Sequence, residues 1–295
     1  MSEPNGYRTP SNPHNLKRTV MRMPMLQNKD KSMSSLEDSP LFITALSKGL
    51  SILTAFRAGR PSMSLVELAE HTGLNKSTVQ RSAFTLEALG YLYKEPVTKR
   101  LRLAPKSLDL GTGYLQTSEL IERSNPYLHE LNRNVEESCN LLEPCGLDML
   151  YVARFPSHKQ IAIHMPLGRH LPMYCTSAGR AYLAALPEDE SDAILMASER
   201  QGYTASTVTE LDQLRALVAE ARSAGYAYAQ EEYFAGDISV AAAVVNADGY
   251  PLGAVNISVP FSRWTLEDAR SQLAPKVINT ARNIASATRS LRPVG

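Results

Sequence analysis

The 295-residue chain has no uninterrupted apolar run near the roughly 18 residues that a membrane-spanning helix needs. Its longest candidates, such as Val240 to Val245, are the length of strands. The early basic residues Lys17, Arg18 and Arg22 are not followed by the apolar core of a signal peptide, so the sequence reads as cytoplasmic, without membrane contact. Cysteine is scarce. Cys139, Cys145 and Cys175 are an odd set with no C-x-x-C pair and no histidine at zinc-finger spacing, which argues against a disulfide framework and a structural zinc. Neither G-x-S-x-G nor G-x-x-x-x-G-K-[ST] occurs, and no two of the six histidines stand four apart. No metal and no cofactor are expected. Net charge is also missing, at +1 overall.

That near-neutrality hides an uneven division. Residues 1–39 carry a net +2, residues 40–105 a net +5 from nine Lys and Arg against four Asp and Glu, and residues 106–295 a net −6. Only the middle segment looks suited to an anionic polymer. With 43% hydrophobic and 21% charged residues the composition is globular, and the length suggests two folded units.

Residues 1–39 are rich in Pro, Asn, Ser and Met without periodicity, and are expected to form a flexible tail. From Phe42 the residues Ile43, Leu46, Leu50, Leu53 and Phe56 recur at helical spacing until Gly59-Arg60-Pro61. Ser64 and Glu67 form a capping box for a second helix, Leu65 to His71, which Gly73 ends. Asn75 caps a third helix with an apolar stripe through Val79, Ala83, Leu86 and Leu89. Tyr91-Leu92-Tyr93 and Leu101-Arg102-Leu103 then flank a hairpin turn.

The spacing Ala69-x-x-x-Gly73-x-x-x-x-x-Val79 is that of a helix-turn-helix: a small residue for close approach, glycine for the turn, an apolar residue closing the angle. Three-helix units also serve as protein-interaction modules, but the +5 charge favours DNA. The third helix would then present Lys76, Ser77, Thr78, Gln80 and Arg81 to the major groove, with Gln80 and Arg81 the best base readers. Lys99, Arg100 and Arg102 in the hairpin wing suit phosphate or the minor groove.

Leu108 to Ile121 reads as a linker helix, with Leu108, Leu115 and Ile121 placed to pair two chains. From Asn125-Pro126 the pattern turns α+β. A helix is expected to about Val135, strands near Asn140–Leu142, Leu150–Ala153 and Ile161–His164, and helices from Thr176, Asp189 and Glu210. Then come strands Val240–Val245 and Ala254–Val259, and a last helix from Leu266 to about Leu291. The expected division is 40–105 for DNA binding, 106–124 for the linker and 125–295 for the second unit.

Leu46-Ser47-Lys48-Gly49-Leu50, Leu74-Asn75-Lys76-Ser77-Thr78-Val79-Gln80-Arg81 and Leu86-Glu87-Ala88-Leu89-Gly90-Tyr91 resemble the IclR family of transcriptional regulators. So do Leu171-Pro172-Met173-Tyr174-Cys175-Thr176-Ser177-Ala178-Gly179-Arg180, and Glu231-Glu232-Tyr233 with Gly236 to Ala242, so the resemblance runs from about residue 42 to 290. It implies a winged helix-turn-helix, a dimerising linker helix and a C-terminal GAF-like effector-binding domain. Dimers or tetramers would bind double-stranded operator DNA, with RNA polymerase a further partner if the protein activates.

The resemblance also implies a pocket where the chain enters the helix after the Leu-Pro motif. Thr176 can cap that helix, so the N–H groups of Ser177, Ala178 and Gly179 would hold a carboxylate. Positions carried over give Ile163, Leu171 and Tyr174 beside that entry, and Asp237, Ser239, Asn256 and Ser258 as the polar side. Asp237 stands where the family's best-known members are apolar. It would repel an anion unless it points away, is protonated, or binds an effector hydroxyl. Leu-Pro-x-Tyr-Cys-Thr-Ser is most similar to the branch controlling aromatic-acid breakdown, which implies a small, aromatic or dicarboxylic acid as effector. The competing class is an enzyme acting on a small carboxylate, with Cys175 as nucleophile and His164 or His170 as base.

Overall fold

A computed structural model describes residues 37–57, 59–159 and 165–293. The expected tail up to residue 36, the expected strand Ile161–His164, and with it Ile163 and His164, lie outside the described residues.

Three helices open the described chain: α1 (Thr44–Thr54), α2 (Leu65–Thr72) and α3 (Lys76–Ala88). The capping box forms, with the Glu67 N–H donating to Ser64 Oγ at 3.2 Å and the Ser64 N–H to Glu67 Oε2 at 2.6 Å. Gly73 takes φ 69°, the left-handed turn that glycine adopts without a Cβ penalty, and Asn75 Oδ1 accepts from the Thr78 N–H at 2.8 Å. The hairpin β1 (Leu92–Lys94) and β2 (Leu101–Leu103) follows, and Met63 adds a bridge to Leu101. Ile52, Phe56, Leu68, Val79, Leu92 and Leu101 form the core of this winged helix-turn-helix.

One expected face is turned outward. Ile43, Leu46 (61% exposed) and Leu50 on or beside α1 and Leu89 after α3 are exposed; α1 is anchored instead through Ile52, Ala55 and Phe56. Periodicity finds an apolar stripe but not what covers it.

The linker is two helices. Extended backbone at Ser118 separates α4 (Leu108–Thr117) from α5 (Glu119–Val135), and Ser118 Oγ accepts from the Ile121 N–H to start the second. Ile121, expected at a chain–chain contact, is buried in the C-terminal core, whereas Leu108 and Leu110 stay exposed. Pro126, expected to open a helix, lies inside α5, where burial of Leu120, Ile121, Leu128, Leu131 and Val135 outweighs the missing backbone donor.

The C-terminal half is a six-stranded antiparallel sheet with helices on both faces. Its strands are β3 (Ser138–Cys145), β4 (Asp148–Phe155), β5 (His170–Pro172), β6 (Ala227–Gln230), β7 (Asp237–Val245) and β8 (Pro251–Pro260), in the spatial order β5-β4-β3-β8-β7-β6. β5 and β6, three and four residues long, are additions to the sequence reading. Packed on the sheet are α6 (Ser177–Ala185), α7 (Glu188–Ala197) and α8 (Leu211–Ala224) on one side, with α5 and α10 (Ala274–Ala287) on the other; a short α9 (Leu266–Asp268) precedes α10. The expected continuous last helix is interrupted by a π turn, Ala269–Leu273, just before Pro275, which has no N–H to continue the ladder. The whole is α+β, as expected. No helix among the described residues is long and apolar enough to cross a membrane.

Candidate functional site

Two surfaces carry the residues singled out by sequence. On α3, Lys76, Ser77, Gln80 and Arg81 are exposed, while Thr78 is half-buried behind the Asn75 cap. Phe84, not anticipated, stands 71% exposed one turn beyond Gln80 and Arg81, bordering the same surface hollow. Helical periodicity had the signal: Phe84 falls outside the stripe of Val79, Ala83 and Leu86. In the wing, Lys99 sits in the turn at φ 56° and is exposed, and Arg102 stacks on the Tyr93 ring at 4.6 Å. Arg100 differs from them. Its guanidinium donates to Ser62 Oγ and Ser62 O (3.1 and 2.8 Å) and pairs with Glu67 at 2.9 Å. It therefore fastens the wing to the cap of α2 and is not free to reach for phosphate. The same contacts, with the Ser64 hydrogen bonds foremost, hold the Glu67 carboxyl below its ordinary value.

The second site is a narrow cavity between the sheet and α6, about 20 Å³, with room for on the order of one water. Leu171, Thr176, Ser177, Ala178, Asp237, Ser239, Asn256 and Ser258 all line it, so strand and helix residues 80 positions apart do converge as expected. Tyr174 does not. It is fully buried beside the cavity, its hydroxyl donating to Gln201 O at 2.5 Å. Tyr151, Met165, Tyr233 and Phe234 are wall residues that sequence reasoning missed. Glu231-Glu232-Tyr233 was visible as a motif, but nothing in it showed that the chain folds back onto the cavity. Arg169 covers the Tyr233 and Phe234 rings (5.8 and 5.4 Å), and its buried Nε has no partner among the described residues.

The helix entry presents backbone donors. Thr176 Oγ1 accepts from the Gly179 N–H at 3.3 Å, so that donor, expected to be open, is used by the cap. The N–H groups of Ser177 and Ala178 meet no acceptor among the described residues and carry the positive end of the α6 dipole. The entry is set deep: a Cβ on Gly179 would lie 2.3 Å from the Met173 backbone, so only glycine allows α6 this approach. Buried Arg180 secures it from behind, its guanidinium forming a bidentate pair with Glu232 (2.6 and 2.5 Å) and donating to Tyr174 O.

Across the cavity, alternation along β7 and β8 puts Asp237, Ser239, Asn256 and Ser258 on one face. The Ser177 hydroxyl donates to Ser239 Oγ at 2.9 Å, Asn140 donates to Asn256 Oδ1 at 2.8 Å, and the Ser258 hydroxyl donates to Asp237 Oδ1 at 2.6 Å. Asn140 Oδ1 is left buried without a partner among the described residues. Burial pushes the Asp237 carboxyl up to about 7, against a smaller opposing effect of the Ser258 hydroxyl. Tyr151 is pushed above its ordinary value, chiefly by burial and then by the Asp237 charge.

These positions speak against nucleophilic chemistry at Cys175. Burial, and after it the Glu232 charge, pushes its thiol up to about 12, whereas a nucleophilic cysteine needs a lowered value. His170, the expected base, is exposed on β5 and lies 3.3 Å from Asp148. No cluster of metal-ligating side chains occurs among the described residues.

The profile of the IclR helix-turn-helix domain matches residues 45–96, and that of the bacterial transcriptional regulator IclR C-terminal domain matches residues 112–286. The Pca regulon regulatory protein of Pseudomonas putida is 28% identical over 266 residues, 90% of this chain and 91% of its own. The Pca operon regulatory protein of Acinetobacter baylyi is 31% identical, covering 82% of this chain and 88% of its own. An IclR-family regulator of Brucella abortus superposes with a TM-score of 0.74 at 27% identity, over 85% of this chain and 95% of its own. An IclR homologue of Microbacterium hydrocarbonoxydans, solved with 4-hydroxybenzoate, has the same fold at a TM-score of 0.68 and 20% identity, over 84% of this chain and all of its own. With both halves matched and the winged helix-turn-helix in place, the chain belongs to the IclR family of transcriptional regulators.

Proposed function

We propose that this regulator senses a small organic acid, aromatic in character, in the cavity under α6 and adjusts its hold on the operator of a catabolic operon in response. The observation that carries this reading is the α6 entry, where two open backbone N–H groups face an enclosed space with a polar far wall. The 4-hydroxybenzoate bound to the M. hydrocarbonoxydans homologue and the Pca control named for the P. putida and A. baylyi relatives agree with it.

The effector's carboxylate sits on the Ser177 and Ala178 amides, with its ring between Leu171, Met165 and Phe234. Titration calorimetry with benzoate and 4-hydroxybenzoate tests this. Proline is tolerated at the first position of a helix, so Ser177→Pro should fold, yet it removes one of the two donors and should bind both acids about tenfold or more weakly. Ser177→Ala, which loses only the hydroxyl bond to Ser239, should change less. Equal affinity of the proline variant and the parent would sink the reading.

On DNA, Gln80 and Arg81 read bases, Lys76, Ser77, Lys99 and Arg102 hold phosphate, and Phe84 meets a thymine methyl. Arg100 and Thr78 act from behind, by fixing the wing and the helix start. The units 40–105, 106–124 and 125–295 divide this work in the cytoplasm. Pairing of two chains through the exposed Leu46, Leu50, Leu108 and Leu110 would present two recognition helices to half-sites about 34–36 Å apart or multiples of that. Light scattering at micromolar concentration should then show no monomer.

A further inference from the structure

We propose that Asp237, anchored by Ser258, is the specificity-determining residue of the cavity. Its carboxylate accepts a hydrogen bond from a hydroxyl at the end of the effector remote from the effector's own carboxylate. This rests on the reading of the cavity as an organic-acid site and adds the chemistry of the effector's other end.

Three carboxylates border the cavity, and they differ in what holds them. Glu232 is paired by Arg180 and accepts from the Val208 N–H at 3.3 Å, while Glu231 Oε1 accepts from the Gly236 N–H at 2.8 Å. Asp237 has one partner, the Ser258 hydroxyl on Oδ1; Oδ2 meets no donor, and no cation pairs with the group among the described residues. The Glu231 N–H donates to Asp237 O at 2.7 Å and the Asp237 N–H to Phe234 O at 3.3 Å, so the backbone that carries this carboxylate is pinned. An acceptor held in place, half-buried and half-satisfied, is stabilised by one further donor.

The spacing sets where that donor comes from. Asp237 and Ser239 are alternate residues of β7, about 7 Å apart along the strand, and Ser239 is bonded to Ser177 at the mouth of α6. An effector reaching from the Ser177 and Ala178 amides to Asp237 therefore has the length of a para-substituted benzoate. A hydroxyl there offers Asp237 a donor; a bare ring edge leaves the carboxylate unpartnered, and an ether oxygen sets a second acceptor against it. Burial pushes the carboxyl up to about 7, which agrees with a group whose charged form has one hydroxyl partner and no cation among the described residues.

Calorimetry on the full chain with benzoate, 4-hydroxybenzoate and 4-methoxybenzoate tests the assignment. The parent should bind the hydroxy acid about tenfold or more tightly than the other two. Asp237→Leu should bring the three within about threefold of one another, mostly by strengthening benzoate. Asp237→Asn, nearly the same shape, guards against a folding defect and should narrow the preference in the same direction. A preference for 4-hydroxybenzoate that persists in both variants overturns the assignment, as does equal binding of all three acids by the parent; in either case loss of binding in Ser177→Pro would leave the organic-acid site standing. If the parent binds none of the three acids, the organic-acid reading falls and this proposal with it.

Discussion

The two faces of the β7–β8 pair are made by the same strands and serve opposite ends. Toward α5 and α10, Ile238, Val240, Val244, Val255, Ile257 and Val259 interlock in a dry core. Toward α6, the alternate residues Asp237, Ser239, Asn256 and Ser258 surround a space. A strand's two-residue period lets one segment be chosen for packing on one side and for recognition on the other. The polar face costs stability that the dry face supplies, so substitutions should separate the two. The largest effect is expected behind the cavity. Arg180→Met leaves Glu232 buried without its partner and should lower unfolding stability by about 3–5 kcal/mol, and adding Glu232→Leu should recover much of it. Denaturant unfolding of both variants checks this. Next comes the dry face: Ile257→Ala should cost about 2–5 kcal/mol, yet leave the affinity of the folded protein for a bound acid unchanged. A matching loss of affinity would show that the faces are not separable.

The DNA-binding half gives an intermediate test with no cavity involved. Arg81→Ala should cost about 1–3 kcal/mol of operator affinity and relax preference at one base pair. The smallest effect sharpens the comparison. The folded-state value of Asp237 lies near 7, above the 3.8 of a free aspartate, so folding holds its proton more tightly than the unfolded chain does. The resulting penalty is fully present above pH 7, shrinks as pH falls through that range, and is gone near 3.8. Asp237→Asn should therefore raise Tm at pH 8 and lose that advantage progressively as the solution is acidified. A gain of equal size at every pH would mean the carboxylate bears no such penalty.

Local chemistry was the legible part of the sequence. Ser64 with Glu67, Gly73 and Asn75 each act within a few residues, and all take the expected roles. The strand face of Asn256 and Ser258 also followed, because alternation is a local rule. What failed depends on partners distant in sequence. The stripe of Ile43, Leu46 and Leu50 is real but uncovered, and Ile121 belongs to a core that includes strands more than 100 residues later. Arg100 looked like a wing cation until the fold brought Ser62 and Glu67 against it. β5 and β6 are too short to show a period, and Phe234 reaches the cavity only through the turn that follows β6.

Gly179 gives this arrangement a consequence in mutational terms. Every other amino acid carries the Cβ that would strike the Met173 backbone at 2.3 Å, and backbone has no rotamer with which to step aside. Position 179 therefore has no neutral neighbours in sequence space. On the proposed reading, exchange of Asp237 or Ser258 changes ligand preference while the seat of α6 stays at one depth. The far wall can change, and the position of the α6 amides cannot.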